Sequence, residues 1–201
     1  TAGLDVHRAT AGEVFGVEPD QVSSEQRRYA KVINFGLIYG MSAFGLARNL
    51  GIDNTAAKNY IQRYFERYPG VKTYMESTRE LAKRQGYVET VLGRRRYLRD
   101  ILSANMNERS FAERNAINAP IQGSAADMIK IAMIRIHQDI KDHKLGSKMT
   151  MQVHDELVFD IHKDEVDLMK DLIKNAMESA VNLIVPMKAE MEMGKNWLEA
   201  H

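Results

Sequence analysis

The sequence predicts an α+β chain, mostly helical at first, with a small antiparallel sheet in the last third. Three observations carry this. Apolar residues recur at helical spacing through most of the first 85 residues. At Tyr87 the pattern shortens to a strand period, returns to a helical one over about 108–143, and shortens again at Lys148. Last, Val185, Met187, Ala189, Met191 and Met193 alternate with Lys188, Glu190 and Glu192, the pattern of a half-buried strand. Helices first and a small sheet later is the α+β order.

Residues 1–15 read as a helix or helix end, with Val6, Ala9 and Val14 apolar, and Pro19-Asp20 marks a turn. Ser23 followed three residues later by Gln26 is a capping box; it starts a helix running to about Tyr39, with Gly40 as its C′ residue. A short helix over 42–50 stops at Gly51. Another, capped by Asp53 or Asn54, runs to Tyr68 before Pro69-Gly70, and a further one over 71–85 stops at Gly86. Tyr87–Val91 and the basic run after Gly93 predict a small hairpin. The helical segment from about Glu108 to His143 contains Pro120, which is expected to kink or split it. Lys148–Val153 and Leu157–Ile161 predict two strands around a tight turn, and Asp164–Asn182 is an amphipathic helix.

The 201 residues carry a formal net charge of +1 and no cysteine, so no disulfide framework or thiolate metal site is available. That composition fits a reducing cytoplasm. There is no apolar run of membrane-spanning length, so no membrane partner is expected. Charge is distributed unevenly: residues 1–114 hold 18 Lys+Arg against 13 Asp+Glu, residues 115–201 hold 10 against 14, and Arg135 is the one arginine in the second part. An arginine-rich first part suits a polyanion and an acidic second part a metal or a basic partner, although solvated helix faces give the same balance. The chain opens at Thr1 in what reads as the middle of an ordered segment, so a preceding segment is expected.

The most informative stretch is Arg27-Arg28-Tyr29-Ala30-Lys31-Val32-Ile33-Asn34-Phe35-Gly36-Leu37-Ile38-Tyr39-Gly40. Arg27, Lys31, Phe35 and Tyr39 are four apart and form one slowly drifting helical stripe. Cations lie toward the N-terminal end and aromatics toward the C-terminal end. Twelve residues span roughly 18 Å, the scale of an extended nucleotide with phosphates at the cations and sugar and base at the aromatics. Spacing alone fits a surface helix equally well. The full string, however, resembles motif B of the family A DNA polymerases, Arg-x-x-x-Lys-x-x-x-Phe-Gly-x-x-x-Tyr-Gly, at every fixed position. The resemblance implies that Arg27 and Lys31 bind the phosphates of an incoming dNTP, with Lys31 as general acid to pyrophosphate. It places Phe35 against sugar and base and Tyr39 where the template base enters. It also makes His7 a further phosphate contact, although a lone histidine is more often structural.

A second resemblance covers Gln152-Val153-His154-Asp155-Glu156, which is similar to motif C of the same family. A hairpin tip is a rigid way to present a carboxylate to Mg²⁺, although an acidic turn in water is the commoner case. The resemblance implies that Asp155 is a metal-binding catalytic carboxylate, Glu156 its active-site neighbour, and His154 a residue near the primer terminus. The family's two-ion chemistry uses a second Asp from a motif absent from these residues. That ligand is expected upstream, and the isolated chain is expected to be inactive. Arg114, Asn118 and Gln122 lie in a segment resembling the family's minor-groove face. Hydrogen-bond donors there can check base-pair shape without reading sequence. Arg94, Arg95, Arg96 and Arg99 suit backbone phosphate or, equally, a solvated hairpin.

The chain is accordingly identified with the C-terminal part of a right-hand polymerase domain. Residues 1–107 are expected as fingers and 108–201 as the C-terminal part of an antiparallel-sheet palm. The expected function is template-directed DNA synthesis in replication and repair. Its partners are primer-template DNA, dNTPs and the rest of a monomeric polymerase. The competing readings are a non-catalytic DNA-binding module and a His-Asp metal hydrolase built on His154-Asp155. The second is disfavoured because such pairs sit on helices among further histidines.

Overall fold

The computed structural model describes residues 5–200. In chain order they form α1 (Val6–Phe15), α2 (Ser24–Ile38), α3 (Ala43–Leu50), α4 (Asn54–Arg67) and α5 (Pro69–Gln85). The hairpin β1 (Tyr87–Glu89) and β2 (Arg95–Tyr97) follows, then α6 (Met106–Asp142), β3 (Lys148–Val153), β4 (Glu156–Asp160), a 3-10 turn at Lys163–Glu165 and α7 (Val166–Glu178). Each hairpin makes its own two-stranded antiparallel sheet, so the fold is α+β as expected. The part of the first helical expectation that falls on residues 1–4 lies outside the described residues. Two compact units are present. The first holds the chain to Glu89 with Gly93–Ile121, and the second holds Thr90–Leu92 with the chain from Gln122 onward.

In the first unit, local signals set the helix ends. Ser23 Oγ accepts from the Gln26 N–H at 3.1 Å and Gln26 Oε1 accepts from the Ser23 N–H at 2.9 Å, completing the box. Ser42 and Asp53 cap α3 and α4. Helix α5 begins two residues earlier than expected, because Pro69 at its first position needs no N–H partner. Val14, Ile33, Leu37, Leu46, Ala47, Ala57 and Tyr64 form one core that fixes α2 against its neighbours. Burying Ile33 and Leu46 completely contributes about 1.5–3 kcal/mol each. A second cluster joins Ala82, Val88, Leu98 and Ile101 to Ala112 and Ala116 of α6.

Pro120 does not split α6, which runs for 37 residues with the proline inside it. A tertiary donor helps: the Tyr74 hydroxyl gives its proton to the Ile117 carbonyl at 2.9 Å, in the turn where the proline ring disturbs the helical ladder. In the second unit, Met169, Ile173, Ala176 and Ala180 pack on Ala132 and Ile136 of α6. Thr90 Oγ1 donates to Asp127 Oδ2 at 2.7 Å and the Val91 N–H donates to Ser124 Oγ at 2.9 Å, which ties the 90–92 turn into this unit. Strands β3 and β4 pair through Val153 and Glu156, with a bulge between Met149 and Met151.

Residues 185–193 correct an expectation, for no strand forms there. Val185 is 61% exposed and Met193 56% exposed. Alternation marks a segment able to bury one face, but a strand also needs a neighbour for its backbone N–H and C=O groups. Here the Ala189 N–H donates to a side chain instead, Glu178 Oε1 at 3.1 Å.

The entry to β3 is held by one carboxylate. Glu165 accepts from the Gly146 N–H at 2.8 Å, the Ser147 N–H at 2.9 Å and the Ser147 hydroxyl at 2.6 Å. The Ser147 hydroxyl bond, then the Gly146 N–H, hold its pKa below the ordinary Glu value. Because the folded pKa is depressed, this stabilisation is full above the ordinary value and fades as pH falls through the lowered one. Glu165→Gln is therefore expected to lower the melting temperature at neutral pH. The gap to wild type should shrink as pH falls through and below the ordinary carboxylate range, as thermal melts across that range would show.

Candidate functional site

The capping box and the buried stripe of Ala30, Ile33 and Leu37 orient α2 so that its opposite side stays open. On that side lie Arg27 (42% exposed side chain), Lys31, Phe35 (43%) and Tyr39 (37%). The Phe35 and Tyr39 rings stack, with centroids 6.1 Å apart at 18°. His7, on α1, brings its ring to 5.5 Å from Phe35. The structure therefore gathers all five residues assigned to nucleotide binding on one face of the first unit. Cations lie toward the helix N-terminus, where the backbone dipole also favours an anion.

The two glycines of this stretch have separate structural causes. A Cβ on Gly36 would stand 2.9 Å from Met41 Cε, because Met41 folds back under the helix. Gly40 has φ +76°, the left-handed conformation that ends α2. A Cβ there would also stand 3.1 Å from Arg114 Cγ. The stem of Arg114 thus lies against the C-terminal end of α2, near the aromatic pair.

In the second unit, His154 and Asp155 form the two-residue turn between β3 and β4. His154 has φ +54°, a left-handed conformation that costs a non-glycine residue about 1–2 kcal/mol. Asp155 is exposed and has no side-chain partner among the described residues, whereas Glu156 is half-buried. Carboxylate oxygen is suitable chemistry for Mg²⁺. Among the described residues, however, no three His, Cys, Asp or Glu converge as a metal site. Asp155 fits as one ligand, not as a complete set.

Arg114, Asn118 and Gln122 all lie in α6. Arg114 and Gln122 are exposed; Asn118 is half-buried, with its Oδ1 buried and without a partner. Of the basic hairpin, Arg95 is engaged by Glu89 at 2.8 Å and lies 4.5 Å from the Tyr87 ring centroid, while Arg96 and Arg99 are open.

The sequence model of DNA polymerase family A matches residues 1–199. The chain belongs to DNA polymerase family A. It is 54% identical over 198 residues to DNA polymerase I of Pseudomonas aeruginosa and 52% identical over 199 residues to that of Lactococcus lactis subsp. lactis. Each match covers 98% of this chain, against 22% and 23% of the relatives. The chain thus spans under a quarter of the length of those polymerases. The POL domain of Pol1 from M. smegmatis, solved in complex with DNA primer-template and dNTP, is similar over 100% of this chain and 35% of its own. The TM-score is 0.97 at 44% identity. Among the described residues of this family A chain, no helix is long and apolar enough to cross a membrane.

Three neighbours of the α2 face escaped the sequence reading. Asp5 caps α1, its Oδ1 accepting from the His7 and Arg8 N–H groups, while its Oδ2 accepts from Arg27 Nε at 2.7 Å. The Arg27 guanidinium first, then the Arg8 and His7 N–H groups, hold the Asp5 carboxyl below the usual carboxylate range against the opposing pull of burial. Arg27 is thereby pinned at Nε with its fork left for another anion. Asn34 and Thr10 lie buried behind His7. An Asp just before a helix and an Asn set among Ile33, Gly36 and Leu37 were the available signals; neither names its partner.

Proposed function

We propose that this chain takes part in template-directed DNA synthesis, transferring a nucleotide from a dNTP to a primer 3′-hydroxyl and releasing pyrophosphate. The observation that carries this is the open face of α2, on which cations and then stacked aromatics follow the order of phosphate, sugar and base. Membership of family A and a relative solved with primer-template and dNTP support it. Residues 1–107 correspond on this reading to the fingers and 108–201 to part of the palm, working in the cytoplasm with the rest of a monomeric polymerase.

In the reaction, the 3′-hydroxyl gives up its proton to solvent and its oxygen bonds to the α-phosphorus as the α–β bridging bond breaks. Arg27, Lys31 and His7 hold the triphosphate, and Lys31 gives a proton to the leaving pyrophosphate. Phe35 sits against the sugar and base, and Tyr39 marks the template side. Asp155 would supply one oxygen ligand to magnesium, with Glu156 beside it and a second Asp from elsewhere in the polymerase; magnesium held there would supply charge stabilisation for the attacking oxygen. Arg114, Asn118 and Gln122 meet the minor groove, and His154 the primer end. The test is primer extension by the complete polymerase containing this segment, with and without magnesium. Duplex binding without magnesium-dependent extension would favour the DNA-binding module instead.

A further inference from the structure

The contacts behind His7 tie the place of its proton to the orientation of the Asn34 amide. Thr10 Oγ1 lies 2.8 Å from the Val6 carbonyl, which can only accept, so the hydroxyl's single proton goes there. Asn34 Oδ1 also lies near that hydroxyl, but at 3.2 Å, and no second proton is available for it. Thr10 Oγ1 must then accept, and with the Asn34 amide oriented Nδ2 toward His7, that nitrogen stands 3.1 Å away to donate; the reversed amide would instead accept from His7 Nδ1. The same Nδ2 is 3.0 Å from His7 Nδ1. An amide nitrogen carries two hydrogens and offers no acceptor, so its second hydrogen goes to His7 Nδ1. Thr10 is 1% and Asn34 6% exposed, which leaves water little access to substitute for either bond.

We propose that Asn34 is a positioning residue that keeps His7 neutral with its proton on Nε2, so that His7 meets a nucleotide phosphate as a fixed hydrogen-bond donor. This rests on the nucleotide reading of α2. The groups facing His7 agree with it. Burial holds its pKa below the ordinary value, Arg27 and Lys31 from α2 push the same way, and Asp5 from its own helix opposes them. The Tyr68 hydroxyl, at the end of α4, lies 3.5 Å from Thr10 Oγ1. Positive charge at the phosphates is left to Arg27 and Lys31, and His7 supplies direction.

The test uses the complete polymerase with ¹⁵N-labelled histidine, the His7 signals being assigned by their loss in His7→Gln. At neutral pH the wild type is expected to show a protonated Nε2 and an unprotonated Nδ1. A proton on Nδ1 would overturn the inference alone and leave the nucleotide reading standing. The expected tautomer with an Nε2 signal that does not respond to dNTP and primer-template would overturn both. Asn34→Asp replaces the donor by an acceptor, which draws a proton to Nδ1. Its kcat/KM for dNTP should fall about tenfold and decline further as pH rises through the raised His7 pKa, whereas wild type shows no such step. An Asn34→Asp profile parallel to wild type would also overturn the inference. The wild-type spectrum decides should that variant fail to fold.

Discussion

Asp155→Ala in the complete polymerase is expected to cut nucleotide addition by roughly 10³-fold or more while primer-template affinity changes by less than ~3-fold. The reasoning starts from exposure. Asp155 is open at a hairpin tip and has no side-chain partner among the described residues, so removing it leaves no buried donor unsatisfied and no core void. A loss of stability therefore cannot account for the lost rate. Removing one anionic side chain should not weaken duplex binding, because affinity for DNA comes chiefly from cations on phosphate. Single-turnover extension and a binding titration on the same preparation separate the two effects. Extension near the wild-type rate would end the assignment of Asp155 as a metal-binding catalytic carboxylate.

Lys31→Ala is expected to lower kcat/KM for dNTP by roughly 10²–10³-fold, about 2.7–4 kcal/mol of transition-state stabilisation, with duplex affinity nearly unchanged. Lys31 is exposed midway along the open face of α2, one turn from Arg27 and one from Phe35. It takes no part in the core that Ile33 and Leu37 build behind it. Alanine favours the helix, so the scaffold should survive. Steady-state kinetics with dNTP varied at saturating primer-template checks it. Equal loss of dNTP use and duplex binding would make Lys31 a general DNA contact instead.

The parts legible in the sequence were those encoded over short spans. Ser23 and Gln26 announce the start of α2 because a capping box closes within three residues. Gly40, Gly51 and Gly86 announce helix ends because left-handed backbone favours glycine. The open face of α2 was legible for the same reason, since spacing by four is a helix property. Long-range consequences were not. Pro120 predicted a kinked or split helix, and the donor that keeps α6 from splitting, Tyr74, stands 43 residues before the Ile117 carbonyl it serves. The 185–193 alternation predicted a strand, but alternation describes one partner of a pairing and says nothing of the other. The Asn34–His7 bond spans 27 residues, and nothing local distinguishes that Asn from one that caps or turns.

The left-handed backbone at His154 has a consequence for engineering this enzyme family. A screen that rewards heat resistance alone would find glycine attractive at that position, since it relieves the strain. On the proposed role of Asp155 as a metal ligand, such a gain would come from slackening the bend that aims it, so resilience and turnover would move in opposite directions there. Libraries meant to harden the polymerase should leave that residue fixed and seek their improvement elsewhere.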